Sequence, residues 1–124
     1  MRILAADLSL RCPGFALIDC DDGRASIVKL CHIDSHGRKS CHGEILSEIA
    51  DVLKELISTA DIFVREKGFY RFPQETQTLY KVVGVTDMVL WDKRHSVFEE
   101  LAPTTVKKLL TGNGKATKDE VAAA

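Results

Sequence analysis

The sequence predicts an α/β domain in which a mixed five-stranded sheet is flanked by helices. Three observations lead there. The first thirty or so residues alternate short apolar runs with tight turns, the signature of an antiparallel meander. From Glu44 onward the hydrophobic period lengthens to that of a helix. Helical and strand-like segments then alternate, which joins parallel strands to the meander. At 124 residues the chain is one domain, and a domain of this size buries about two-thirds of its unfolded surface without needing disulfides or metals.

In chain order, Arg2–Leu10 reads as a strand apolar on both faces, a central strand covered on each side, interrupted by Asp7. Arg11–Gly14 is a turn around Pro13-Gly14. Phe15–Cys20 and Ala25–Ile33 are the second and third strands, joined by the hairpin turn Asp21-Asp22-Gly23. After a polar loop over Asp34–Gly43, Glu44–Ile57 places Ile45, Ile49, Val52, Leu53, Leu56 and Ile57 on one helical face. Asp61–Arg65 is a short strand with Glu66 at its end. Lys67–Phe72 is a loop rich in aromatic and basic residues. Pro73 suits a first helical turn, and the helix from Gln74 to about Lys93 buries Leu79, Val82, Val83, Val89 and Leu90. Gly84 within it marks a close approach of helix to sheet. Val97–Ala102 is a fifth strand, and Pro103 opens a short helix through Leu110. A turn follows at Gly112-Asn113-Gly114, and Thr117 with Glu120 forms a capping box.

A composition of 45% hydrophobic and 28% charged residues excludes a disordered or low-complexity chain. No apolar run is long enough to span a membrane, and Asp7 breaks the only run that resembles a signal peptide. The expectation is a soluble, cytoplasmic protein with no membrane partner. The net charge of −1 conceals basic stretches: Lys107, Lys108, Lys115 and Lys118 in one, and Arg24, Lys29, Arg38 and Lys39 in another. Such stretches suit a phosphate-binding face, or simply a solvated surface. Cys12, Cys20, Cys31 and Cys41 include no C-x-x-C pair. Cys31-His32, His36 and Cys41-His42 can be drawn as a zinc site, but the spacing fits no structural zinc pattern, and small buried thiols beside loop histidines explain the same residues.

Asp7 and Glu66 are the residues with chemistry to explain. A carboxylate inside a doubly apolar strand must be paired, protonated or bound to a cation. If the first and fourth strands are neighbours, both acids point into one site, and converging carboxylates suit Mg²⁺, with Mn²⁺ as the alternative. The competing reading has Asp7 capping the Arg11–Gly14 turn and Glu66 paired with Arg65 or Lys67.

Three stretches carry a family resemblance. R-I-L-A-A-D-L-S-L-R-C-P-G-F-A-L-I-D, Arg2–Asp19, resembles the opening hairpin of the RuvC family of Holliday junction resolvases, with Asp7 at the first catalytic acid and Gly14 at the start of the second strand. I-F-V-R-E-K-G-F, Ile62–Phe69, resembles the family strand that ends in a catalytic Glu, here Glu66, followed by an aromatic, here Phe69. V-K-K-L-L-T-G-N-G-K-A-T-K-D-E-V, Val106–Val121, resembles the basic stretch before the family's last helices, and Gly84 matches a family glycine. The resemblance implies an RNase H-like fold and a homodimer that cuts branched DNA, the four-way junction, as a metal-dependent endonuclease. In that reading Asp7 and Glu66 hold Mg²⁺, Phe69 and Tyr70 stack on unpaired bases, and Lys107, Lys115 and Lys118 contact phosphates. The family adds one or two acids on a final helix. Asp119 and Glu120 do not match them, and the unfinished ending Val121–Ala124 points to a chain truncated before that helix. A non-catalytic nucleic-acid-binding module of the same fold is the alternative. An ATPase fragment sharing the opening strand would need a second domain for which there is no room. An anti-termination or transfer-RNA-modification relative is a further reading, which the Phe69-Tyr70 loop and the lysines disfavour.

Overall fold

A computed structural model describes residues 1–34, 41–66, 73–93 and 98–101. The elements are β1 (Arg2–Asp7), β2 (Gly14–Asp21), β3 (Arg24–His32), α1 (His42–Ile57), β4 (Ile62–Glu66), α2 (Pro73–Asp92) and β5 (Phe98–Leu101). The expected helix at Pro103–Leu110, the Gly112–Gly114 turn and the Thr117–Glu120 capping box lie outside the described residues.

The strands form one sheet in the order β3-β2-β1-β4-β5. β1, β2 and β3 pair antiparallel, whereas β4 lies parallel to β1 and β5 parallel to β4. The mixed sheet with flanking helices is the architecture anticipated from the sequence. The β2–β3 turn needs two residues with positive φ, and Asp22 (49°) and Gly23 (77°) supply them, the backbone twist that a two-residue hairpin favours.

The crossover through α1 runs from β3 past β2 and β1 to β4, and that through α2 from β4 to β5, so both step the same way across the sheet. Crossovers of one hand then place their helices on one face. That face carries the core: Leu4, Ala6, Phe15, Leu17 and Phe63 meet Ile45, Ile49, Leu53, Leu56 and Ile57 of α1 and Val82, Val89 and Leu90 of α2 in a single cluster. The α1 stripe matches its periodicity, except that Val52 is only partly buried and Ala50 takes a core position. On α2 the pattern missed Thr86, which is fully buried.

Three expectations need correction. β1 stops at Asp7 instead of running to Leu10, because Ser9 Oγ accepts a hydrogen bond from the Cys12 amide (3.0 Å) and turns the chain. The strand is not buried on both faces either: Leu4 and Ala6 are covered, but Ile3 and Ala5 are only half-buried and Asp7 is exposed. Gly84 marks no close helix–sheet approach. It is exposed, and an added Cβ would meet no atom within 4 Å.

β3 forms one edge of the sheet, and all but one of its residues are exposed. Its register against β2 shifts between Leu17 and Ile18, which leaves Val28 as the extra residue of a bulge. Cys20 and Cys31 are half-buried and Cys12 and Cys41 exposed, and all four are free thiols; the picture of uniformly buried thiols therefore holds only in part.

The far end of the sheet is fastened by ion pairs. Arg2 Nε and Nη2 donate to the two carboxylate oxygens of Asp19 at 2.7 and 3.1 Å, joining β1 to β2, and the Arg2 amide donates to Asp61 Oδ2 at 2.8 Å. The hydrogen bond from Arg2 holds the Asp19 carboxyl below its ordinary value. A folded-state pKa below the unfolded one gives stability that is present above the unfolded pKa and lost as pH falls through the folded one. An Arg2→Gln variant is therefore expected to unfold more easily than the parent at neutral pH, with the difference shrinking below about pH 4. Urea titrations across that range check this; a difference that stays constant into acid would show that Asp19 is not the group involved.

Candidate functional site

Side chains alternate between faces along a strand. With Leu4, Ala6, Phe63 and Arg65 turned to the helices, Ala5, Asp7, Val64 and Glu66 must occupy the opposite face. β1 and β4 pair in parallel with Ala6 beside Arg65. By that register Asp7 and Glu66 follow the last paired rung, at the ends of adjacent strands that run about 4.8 Å apart. Parallel pairing sends both strands out at the same sheet edge, so the two carboxylates emerge together. Asp7 is paired with Gly14 on its other side, and Gly14 with His32 of β3.

These residues share one cleft of about 630 Å³, lined by Ala5, Asp7, Gly14, His32, Val64 and Glu66 among others. Its floor is apolar and small, and its rim carries the polar groups. A Cβ at Gly14 would meet nothing within 4 Å, so this glycine leaves open the space between Asp7 and His32. Asp7 and Glu66 are both exposed. The expectation of a carboxylate buried in an apolar strand is thereby corrected: Asp7 is the last residue of its strand, where water or a ligand solvates it.

Of the competing local roles for these acids, the capping of the turn by Asp7 does not match the structure, and Lys67, the alternative partner of Glu66, lies outside the described residues. The turn after β1 is closed by Ser9, not Asp7. Arg65 lies on the opposite face from Glu66 and is engaged with Glu100 (2.6 Å) and Asp87 (2.7 Å). Two exposed carboxylates on adjacent strand ends are hard oxygen donors, the set that suits a small divalent cation which keeps several of its waters. Among the described residues no three metal-ligating side chains gather in one place. His36 of the zinc arrangement drawn from the sequence lies outside the described residues, and burial pushes the Cys31 thiol up, away from the thiolate that zinc binds.

Phe69, Tyr70, Lys107, Lys115 and Lys118 lie outside the described residues. Sequence reasoning overlooked His32 as a member of the cleft. The signal was present in the hairpin register, which sets the residue after Cys31 opposite Gly14, but it shows only once the bulge at Val28 is known. It also overlooked Arg65, whose charge sits between the apolar Val64 and the acid Glu66 and reads as a surface residue until its burial is seen.

A family model described as crossover junction endodeoxyribonuclease RuvC matches residues 3–124. Proteins of that description from Prochlorococcus marinus (strain MIT 9211) and Helicobacter pylori (strain P12) are similar in sequence. The first is 33% identical over 100% of this chain and 78% of its own length, and the second 30% identical over 98% and 78%. Among solved structures, T. thermophilus RuvC in complex with Holliday junction substrate has the same fold, with a TM-score of 0.86 at 18% identity over 99% of this chain and 76% of that one. The Fowlpox virus resolvase in complex with Holliday junction DNA is a more distant match, with a TM-score of 0.54 at 14% identity over 82% of this chain and 59% of that one.

Proposed function

The chain belongs to the crossover junction endodeoxyribonuclease RuvC family, and on that premise we propose that it resolves four-way DNA junctions by hydrolysing phosphodiesters at the Asp7–Glu66 cleft. The observation that carries this reading is the emergence of both carboxylates from adjacent parallel strands into one cleft. Metal dependence is consistent with the family, and Mg²⁺ is the ion we assign, with Mn²⁺ as its substitute. Asp7 and Glu66 would hold it; when bound, such an ion polarises a phosphate oxygen and makes a water more acidic.

The remaining roles belong to the protein. The small residues Ala5, Gly14 and Ala16 leave the cleft floor low enough for a sugar-phosphate strand to approach the acids. Lys107, Lys115 and Lys118 supply phosphate charge, and Phe69 and Tyr70 supply stacking surface for bases unpaired at the junction centre. The working compartment is the cytoplasm, and no described helix is long and apolar enough to cross a membrane. The alternative, a binding module of the same fold that does not cut, is separated from this reading by activity alone.

A junction has two equivalent strands to cut, which suits a two-fold dimer. We place its interface on α2. Tyr80, Met88 and Trp91 are exposed there, Trp91 at 69%, and with Gly84 they fall on one helical stripe. Gly84, open on its outer side, would let a partner helix come close.

Four outcomes test the proposal. Asp7→Asn and Glu66→Gln should each abolish Mg²⁺-dependent junction cleavage while changing stability by less than about 0.5 kcal/mol, since both acids are exposed. Wild-type cleavage by either would remove the site assignment, and an inactive parent that still binds junctions would favour the binding module. Ala at Lys107, Lys115 or Lys118 should weaken all DNA binding alike and lower the salt slope by about one unit, with Lys108 mattering less. Phe69→Ala should instead lower the ratio of junction to duplex affinity and leave the salt slope alone; a fall in thermal stability with an unchanged ratio would make Phe69 a core residue. Finally, Trp91→Glu should convert a dimer into a monomer in sedimentation without unfolding it, and a parent that is monomeric at high concentration would refute the interface.

A further inference from the structure

Arg65 and Glu66 are neighbours in sequence, yet they face opposite sides of the sheet. Arg65 is buried, at 4% exposure, among the apolar residues of the helix-covered face. A guanidinium keeps its charge at any accessible pH, so burial obliges it to find partners. It has them on two elements. Its Nε and Nη2 both donate to Glu100 Oε1 of β5, at 3.0 and 2.6 Å. Its Nη1 donates to Thr86 Oγ1 of α2 at 2.6 Å and to the Val83 carbonyl at 3.4 Å, and lies 2.7 Å from Asp87 Oδ1. The fully buried Thr86 hydroxyl donates in turn to the Val83 carbonyl at 2.8 Å.

This network is not needed to fill the core. Replacing a buried ion cluster by apolar side chains of similar volume is often neutral or stabilising, and the neighbours on this face, Leu4, Ala6 and Phe63, are apolar. What the cluster adds is directional. It ties β4 to β5 and to α2 at the residue just before the strand's terminal acid. Glu66 is the last residue of β4, paired with Leu101 of β5, and terminal rungs of a ladder open most easily. A fork fastened beneath the sheet keeps that rung closed, which fixes the point from which the Glu66 carboxylate leaves the backbone.

We propose that Arg65 is the positioning residue for Glu66, acting through β5 and α2 to set the divalent-cation affinity of the cleft; this rests on the reading of Asp7 and Glu66 as the metal-holding pair. Groups that orient a ligand without touching the metal commonly change affinity by about 10–100-fold when removed.

The test measures Mn²⁺ binding to the DNA-free 124-residue chain by electron paramagnetic resonance, together with junction affinity without metal and thermal midpoint. Arg65→Met, which keeps the volume and loses the fork, should fold, bind junctions as the parent does, and bind Mn²⁺ about tenfold more weakly. Arg65→Lys, which restores the charge and one donor direction, should recover part of that loss. Glu100→Gln should fall between parent and Arg65→Met, and decides the matter if Arg65→Met does not fold. Parental Mn²⁺ affinity in a folded Arg65→Met, or in Glu100→Gln, overturns the proposal, as does a loss that disappears on cooling in step with the thermal midpoint. Glu66→Gln separates the two levels of inference. If it binds Mn²⁺ as the parent does, the metal-holding pair itself is wrong and the positioning role falls with it. If it loses binding while the Arg65 and Glu100 variants do not, only the positioning role is refuted.

Discussion

The parallel pairing of β1 with β4 is the constraint on which the rest depends. It sets Ala6 beside Arg65, and with that register each side chain of the two central strands is committed to a face. Leu4, Ala6 and Phe63 then face the helices and the core, while Asp7 and Glu66 face the cleft. A slip of either strand by one residue would turn its acid toward the core and its apolar residues away from it. The large apolar area closed by α1 and α2 therefore enforces the position of two hydrophilic groups that contribute nothing to it. The core does not contain the site, but it selects the only register in which the site exists.

The helices were the most legible part of the sequence. The stripe Ile45, Ile49, Leu53, Leu56, Ile57 repeats at a period that only a helix satisfies, and the same residues line the core. The hairpin was equally plain, because Asp22-Gly23 meets a specific dihedral need. The pairing of Asp7 with Glu66 was legible only as a conditional, since sequence does not state which strands are neighbours. The burial of Asp7 was misjudged for a physical reason. Leu8 and Leu10 continue the apolar run, but Leu8 is buried from within the turn, after the strand has ended. Apolar content alone does not separate a strand from a turn that folds back onto the core. Thr86 and Arg65 were illegible for a related reason: a polar residue satisfied by partners far away in sequence carries no local sign of its burial.

Two kinds of electrostatics coexist around β4. At the cleft, exposed carboxylates lie close together with the same sign, an arrangement that favours a cation. On the other face one guanidinium is surrounded by Glu100 and Asp87, an arrangement complete within the protein. The first suits a cation and the second resists rearrangement, and they are separated by the thickness of one sheet. At the opposite end of β1, the Arg2–Asp19 and Arg2–Asp61 contacts join the same strand to its surroundings at the surface, where each pair is worth little singly.

The edge strand β3 has a consequence for how the protein behaves in a crowd. Ile27, Val28 and Leu30 are exposed along it, two of them at 65%, and among the described residues no strand pairs with its outer side, the kind of edge to which an extended chain can add. The bulge at Val28 twists the strand away from flatness, and Lys29, held at 3.8 Å from Glu55 of α1, sets a charge in the middle of the apolar run. These are the devices by which natural sheets discourage edge-to-edge aggregation. The strand can therefore tolerate drift in the size of its side chains far better than drift in charge at position 29. Loss of that lysine would leave the apolar run Ile27, Val28 and Leu30 without a charge inside it, on the side of the sheet that meets other chains first.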